Sequence, residues 1–209
     1  MSEKCVLISI RPKWCELIAS GKKTIEVRKS RPKLETPFKC YIYCTLQGSP
    51  EAFASWGKDV AKWNREGWGE RKGKVIGEFV CDEIYKIDNC SNAFRIPSQD
   101  VAFTNQVANW SCLSFDQMKS YLRKGDGYGW HISDLKIYDK PKELSEFFRA
   151  TGEMDVCANS THCEACEHWR YVRVNSEEYD MDCDCGGPLF EQMKPITRPP
   201  QSWCYVEGD

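Results

Sequence analysis

The sequence predicts a small α+β fold: a closed or nearly closed mixed β-barrel with short flanking helices and a cysteine-rich insertion. Three observations predict it. Five or six short apolar or alternating runs recur between turn residues, at spacings too irregular for a βαβ series. The helical stripes last only two or three turns. After residue 150 the composition changes, and five cysteines and a run of acids replace clean periodicity before a last short strand. The expected layout is therefore one barrel from residues 1–150 plus 195–209, carrying an insertion at 151–194.

The elements follow in order. Residues 4–10, rich in branched apolar side chains, read as a buried strand. Pro12 opens a helix where a missing N–H costs nothing. Trp14, Leu17 and Ile18 form its apolar stripe, and Gly21 stands where a terminating residue belongs. Residues 24–29 alternate, with Ile25 and Val27 on one face and Thr24, Glu26 and Arg28 on the other. Pro32 and Pro37 bracket a loop before a third strand at 38–45. A short helix near 59–65 follows in a tryptophan-rich stretch. Residues 74–87 are the longest strand expected, with Gly77 marking a bulge or bend. Residues 88–112 read as a long loop. Ser114 and Gln117 make a capping-box pattern for a helix over 115–123. Gly125, Gly127 and Gly129 turn the chain into a strand at 129–138. Pro141 starts a second short helix with Leu144, Phe147 and Phe148 as its stripe. Trp203 and Tyr205 alternate with Cys204 and Val206 in the closing strand.

Composition excludes several classes. With 209 residues, 41% hydrophobic and 29% charged, the chain is globular rather than disordered. No apolar run approaches the ~18 residues of a membrane helix. The amino terminus carries no secretion signal, so the expected compartment is the reducing cytoplasm. The 13 cysteines, an odd number, then read as thiols or metal ligands rather than a disulfide framework. Net charge is only −2. It is unevenly spread: residues 11–39 hold nine basic against three acidic side chains, and residues 151–192 hold ten acidic against two basic. A basic block attracts phosphates; solvated surface is the plain alternative for both blocks.

The densest chemistry lies in Gly21-Lys22-Lys23-Thr24-Ile25-Glu26-Val27-Arg28. Glu26 and Arg28 share a strand face, and Lys23 lies at the strand mouth within reach of it. Such a mixed cluster holds its members ionised and offers a polar ligand both donors and acceptors. A surface ladder of weak salt bridges is the alternative. The segment resembles the Gly-x-Lys-x-x-Glu-x-Arg motif of the ASCH family at all four positions. The context is similar too: Ser9-Ile10-Arg11-Pro12-Lys13, Gly129-Trp130-His131-Ile132, Pro141-Lys142-Glu143-Leu144 and Pro200-Gln201-Ser202-Trp203-Cys204-Tyr205-Val206 look like the phage-associated branch. The resemblance leaves out 151–194.

It implies a PUA-like barrel with a cleft lined by the motif, binding RNA or a modified nucleoside. Some small members hydrolyse the amide of N4-acetylcytidine, using a Lys that matches Lys23 and a Thr at the place held here by Glu26. A carboxylate does not replace that hydroxyl nucleophile. If the chain is an enzyme, Lys23 and Glu26 are the catalytic candidates, with Lys23 as a base of depressed pKa.

Other residues add to the expected ligand site. Arg11 and Lys13 belong to the basic block. Trp130 and His131, adjacent on a strand, face opposite ways, one toward the core and the other toward ligand or solvent. His131 offers a hydrogen-bond donor. Trp130, or one of Trp56, Trp63 and Trp68, offers a stacking face. In the insertion, Cys163 and Cys166 form a Cys-x2-Cys knuckle, and Cys183 and Cys185 follow after 16 residues. Four thiolates close a tetrahedral structural Zn2+ site, with Cys157 or His168 as possible replacements for Cys183 or Cys185. Gly125-x-Gly127-x-Gly129 precedes a strand rather than joining strand to helix, so it is no dinucleotide loop. Three readings follow: a binding module for RNA or a modified nucleobase, an amidohydrolase on an acylated cytidine nucleoside, and a protein-interaction module ordered by zinc at 151–194.

Overall fold

A computed structural model of the protein describes residues 4–46, 67–90, 93–97, 99–123, 125–156, 170–173 and 189–208. The helix expected near 59–65, Trp56, Trp63 and all four expected zinc ligands lie outside them.

The first strand, β1 (Lys4–Ile10), is buried on both faces from Cys5 onward, as its unbroken apolar run requires. Helix α1 (Pro12–Ala19) begins on Pro12 and ends through Gly21, whose φ of +71° is the left-handed conformation that glycine adopts without strain. It buries Cys15 and Ile18 while Trp14 stays half-buried; the inward stripe is thus rotated one residue from that expected. Strands β2 (Ile25–Arg28) and β3 (Phe38–Cys44) follow, and β3 returns parallel to β1. Helix α2 is one turn, Trp68–Arg71.

The long strand expected at 74–87 is two strands, β4 (Val75–Cys81) and β5 (Ile84–Cys90). The strand expected at 129–138 likewise divides into β7 (Gly127–His131) and β8 (Ser133–Lys142). Each break is a corner at which the chain changes sheet. One sheet runs β12-β1-β3-β4-β8, with β12 spanning Trp203–Glu207, and a second runs β2-β7-β5-β6, with β6 spanning Ala93–Arg95. Gly77 marks an irregular ladder as expected: a side chain there would run into the carbonyl oxygen of Lys136 in β8.

Between β6 and β7 lie α3 (Val101–Trp110) and α4 (Phe115–Leu122). The capping box of Ser114 and Gln117 is present. Helix α3 replaces part of the expected loop. It is capped by Asp100, which accepts from the Phe103 amide, and faces Val107 inward. Pro141 does not start a helix. It sits in β8, an edge strand, where a missing N–H leaves no ladder bond broken. Only a 3-10 turn, Leu144–Glu146, precedes β9 (Phe148–Val156). With β10 (Arg170–Arg173) and β11 (Leu189–Pro195), β9 forms a third sheet in the order β10-β11-β9. The expected domain boundaries at 150 and 195 therefore fall within β9 and β11.

The sheets do not close into the expected barrel. The edges β12 and β8 of the five-stranded sheet remain unpaired with each other, and β2 pairs only with β7. Four residues of β2 are too few to ladder onward. Side chains fill this seam instead. One core cluster, including Val6, Ile8, Ile42, Ile76 and Trp130, lies between the five-stranded sheet, α1 and the corner at Ile132. A second, with Leu7, Tyr41, Val75 and Phe147, covers the opposite face. A third, with Ile25, Val27, Val107, Met118 and Leu122, seats α3 and α4 on the four-stranded sheet. In β12, Trp203 and Tyr205 pack on the first cluster, and Cys204 and Val206 on the second, as the alternation expected.

Candidate functional site: an ionic cluster in the seam

Strand β2 divides its residues between two environments. Ile25 and Val27 face the helices; Glu26 and Arg28 face the seam, with Glu26 opposite Trp130 in the ladder. Lys23 precedes the strand, after the chain has turned out of α1 through Gly21.

The three charged heads converge. Glu26 lies between the two cations: Oε2 is 3.2 Å from Lys23 Nζ, and Oε1 is 3.0 Å from Arg28 Nη2. The cluster is internal, with side-chain exposures of 2% for Lys23, 9% for Glu26 and 8% for Arg28. It is therefore not a surface ladder. At this depth, removing one member leaves an uncompensated buried charge, which is far costlier than losing an exposed pair.

Lys23 is the most committed member. Its ammonium donates to the carbonyls of Ile25 at 2.7 Å and Ser111 at 2.6 Å, and stands 5.2 Å from the centre of the Trp14 ring. Burial lowers its pKa below the ordinary 10.5, against the opposing pull of Glu26. Ser111 belongs to the turn between α3 and α4. The same turn is held by the Thr24 amide donating to Trp110 and the Cys112 thiol donating to Lys22.

Arg28 joins the sheets. Its Nη2 donates to the Ser9 carbonyl in β1 at 2.6 Å, and Nη1 lies 3.5 Å from Ser202 Oγ, just before β12. Ser9 in turn donates from its hydroxyl to the Pro200 carbonyl at 2.7 Å and from its amide to Ser202. Arg28 Nε is buried without an acceptor among the described residues. Beneath the cluster, the Cys15 thiol is held well above its ordinary pKa by burial, and further by Cys44 and Glu26.

Around the buried cluster the chain is basic and aromatic. Arg11, Lys22 and Lys29 are exposed, and Lys13 and Trp14 half-buried. The Lys13 ammonium stands 4.5 Å from the centre of the Trp14 ring. Tyr121, on α4, hydrogen-bonds Arg28 with its hydroxyl and lies in the field of Glu26 and Arg11. Sequence reading passed over Trp14 and Tyr121. Trp14 stood in the expected apolar stripe, and nothing local ties Tyr121 to a motif more than 90 positions earlier.

The other expected residues lie elsewhere. Trp130 is fully buried, edge-on to Phe38 at 5.9 Å and tilted against Trp203 at 6.1 Å. It has no free face on which a base can stack. His131 points the opposite way, to solvent, with Nδ1 2.7 Å from Asp82 Oδ1. Its amide donates to the Glu83 carbonyl, so His131 and Asp82 clasp the two corners where the chain changes sheets. Burial alone would raise the Asp82 pKa, but hydrogen bonds from His131, its own backbone and Ser133, with the field of His131, bring it below the usual carboxylate value. Among the described residues no group of three or more His, Cys, Asp or Glu side chains is placed to hold a metal ion. No described helix is long and apolar enough to cross a membrane.

Solved structures similar to this chain include ASCH from Zymomonas mobilis, at 20% identity over 66% of this chain and 73% of that one, with a TM-score of 0.44. A tyrosine-to-phenylalanine variant of the Zymomonas mobilis protein matches at 19% identity over 68% and 77%, with a TM-score of 0.43. No curated protein sequence matches. The family profile described as "ASCH domain" matches residues 8–115, more than half of the chain and the whole of the segment from β1 through the Lys23–Glu26–Arg28 cluster to the turn at Ser111. On that match the chain belongs to the ASCH family.

Proposed function

We propose that the protein binds single-stranded RNA, or a modified nucleobase within it, on the basic and aromatic rim of the buried cluster. ASCH domains are usually thought to bind RNA. The observation that carries the reading here is the rim itself: Arg11, Lys13, Lys22 and Lys29 surround the cluster, with the half-buried Trp14 among them. Cationic side chains neutralise phosphates, and aromatic faces accept unpaired bases. Lys23, Glu26 and Arg28 then serve mainly as an internal brace that fixes the rim, with Arg28 the member nearest to it.

The amidohydrolase alternative has less support. Lys23 spends its ammonium on two backbone carbonyls and Glu26, and Glu26 supplies no hydroxyl nucleophile. The protein-interaction alternative rests on the insertion. We propose there that Cys163, Cys166, Cys183 and Cys185 hold a structural Zn2+, on the strength of their spacing. One equivalent of zinc in the purified protein, lost on replacing Cys163 and Cys166 by Ser, is the expected result; zinc-free protein of unchanged stability would contradict it.

Fluorescence anisotropy with a short labelled single-stranded RNA, titrated at two salt concentrations, tests the main reading. Affinity should fall as salt rises. Arg11→Ala with Lys13→Ala should weaken binding and flatten the salt slope by about one unit for each phosphate no longer neutralised. No binding at low salt would overturn the proposal. So would acetate release from N4-acetylcytidine abolished by Lys23→Ala in a variant that still folds.

A further inference from the structure

Tyr121 combines features that the rest of the rim does not. It sits on α4, where Met118 and Leu122 anchor the helix in the third core cluster. Its ring is 38% exposed, yet its hydroxyl turns inward to hydrogen-bond Arg28. A tyrosine tethered at its tip keeps a fixed ring plane, and only its flat faces remain for contact. The Lys29 ammonium stands 5.2 Å from the ring centre, and the charge of Arg11 also reaches the hydroxyl. An aromatic ring of fixed orientation flanked by three cations matches the chemistry of an unpaired nucleotide: ring face for the base, cations for the phosphates on either side.

We infer that Tyr121 is the stacking platform for one unpaired base of a bound RNA strand, with Lys29 and Arg11 taking the adjoining phosphates. This rests on the RNA-binding reading above and adds to it a residue beyond the motif, on a helix about 100 positions away in sequence. The Arg28 hydrogen bond orients the ring, so the buried brace and the ligand surface are mechanically one device.

The test compares Tyr121→Ala and Tyr121→Phe with the wild type, using a short oligouridine RNA and the same strand carrying a single abasic site at each position in turn. Tyr121→Ala should weaken binding about 5- to 150-fold, the range of one base stack, with the salt slope unchanged because no charge is removed. Tyr121→Phe should keep most of that affinity. One abasic position should weaken wild-type binding by a similar factor and leave the Tyr121→Ala variant indifferent. Circular dichroism and melting temperature establish that both variants fold. If Tyr121→Ala binds as tightly as the wild type while Arg11→Ala is impaired, the platform is refuted and the RNA-binding reading stands. If the wild type binds no RNA, both fall.

Discussion

Lys23 Nζ lies 2.6 Å from the carbonyl oxygen of Ser111, 88 positions later in the chain. Through this bond the motif lysine does the work of a rivet. It fastens the α3–α4 turn to the mouth of β2, while Glu26 and Arg28 carry the connection on to β1 and the segment before β12.

Replacing Lys23 by Met tests the rivet. Methionine keeps the aliphatic length but leaves the Ile25 and Ser111 carbonyls without this donor and Glu26 with one cation fewer. The expected loss is about 3–5 kcal/mol, the cost of breaking a buried pair from one side. Urea unfolding measures it. Hydrogen exchange should quicken first in α3 and α4. A loss under about 1 kcal/mol, the size of an exposed pair, with exchange unchanged, would show that the turn holds itself.

The same lysine sets an alkaline signature. Burial places its pKa below the ordinary 10.5. Between that lowered value and 10.5 the unfolded chain binds more protons than the folded one, so stability rises with pH across the window. Below the window the burial cost is present in full; above 10.5 it is gone. The unfolding free energy of wild type minus that of Lys23→Met should therefore grow as pH climbs toward 10.5. A difference that shrinks over the same range would mean that Glu26 outweighs burial.

Thiol labelling reads the seam directly. Cys15 and Cys40 are buried and held well above their ordinary pKa, and burial with the Asp82 charge pushes Cys81 up to about 12. Cys90 is exposed. Since the thiolate is the reactive form, iodoacetamide at pH 8 should label Cys90 in native protein and leave Cys15, Cys40 and Cys81 unmodified until denaturant is added. Peptide mapping by mass spectrometry gives the answer. Early labelling of Cys15 would mean that the seam opens on its own.

Much of the fold was legible where local pattern and tertiary fate agree. The apolar run of β1, Pro12 and Gly21 around α1, the alternation of β2 and the Ser114–Gln117 box all carry local signals that the structure uses. Helix α3 was missed although Phe103, Val107 and Trp110 repeat at helical spacing, because Thr, Asn and β-branched residues between them speak weakly for helix. The corners at Asp82 and Ile132 were invisible for another reason. A strand that changes sheets keeps its alternation, and only the partner strands reveal the break. Within the site, the meeting of Lys23, Glu26 and Arg28 follows from strand period. Their depth does not, since the carbonyls of Ser9 and Ser111 that receive them come from distant turns and strands.

Arg28 touches residue 9 on one side and residue 202 on the other. A growing polypeptide therefore has its motif early and its clasp late. Until the segment just before β12 is synthesised, the guanidinium lacks one of its anchors, and β1 lacks an edge partner. Competence of the motif is thus a property of a nearly finished chain, and a fragment ending before that segment would carry every motif residue without the setting that orders them.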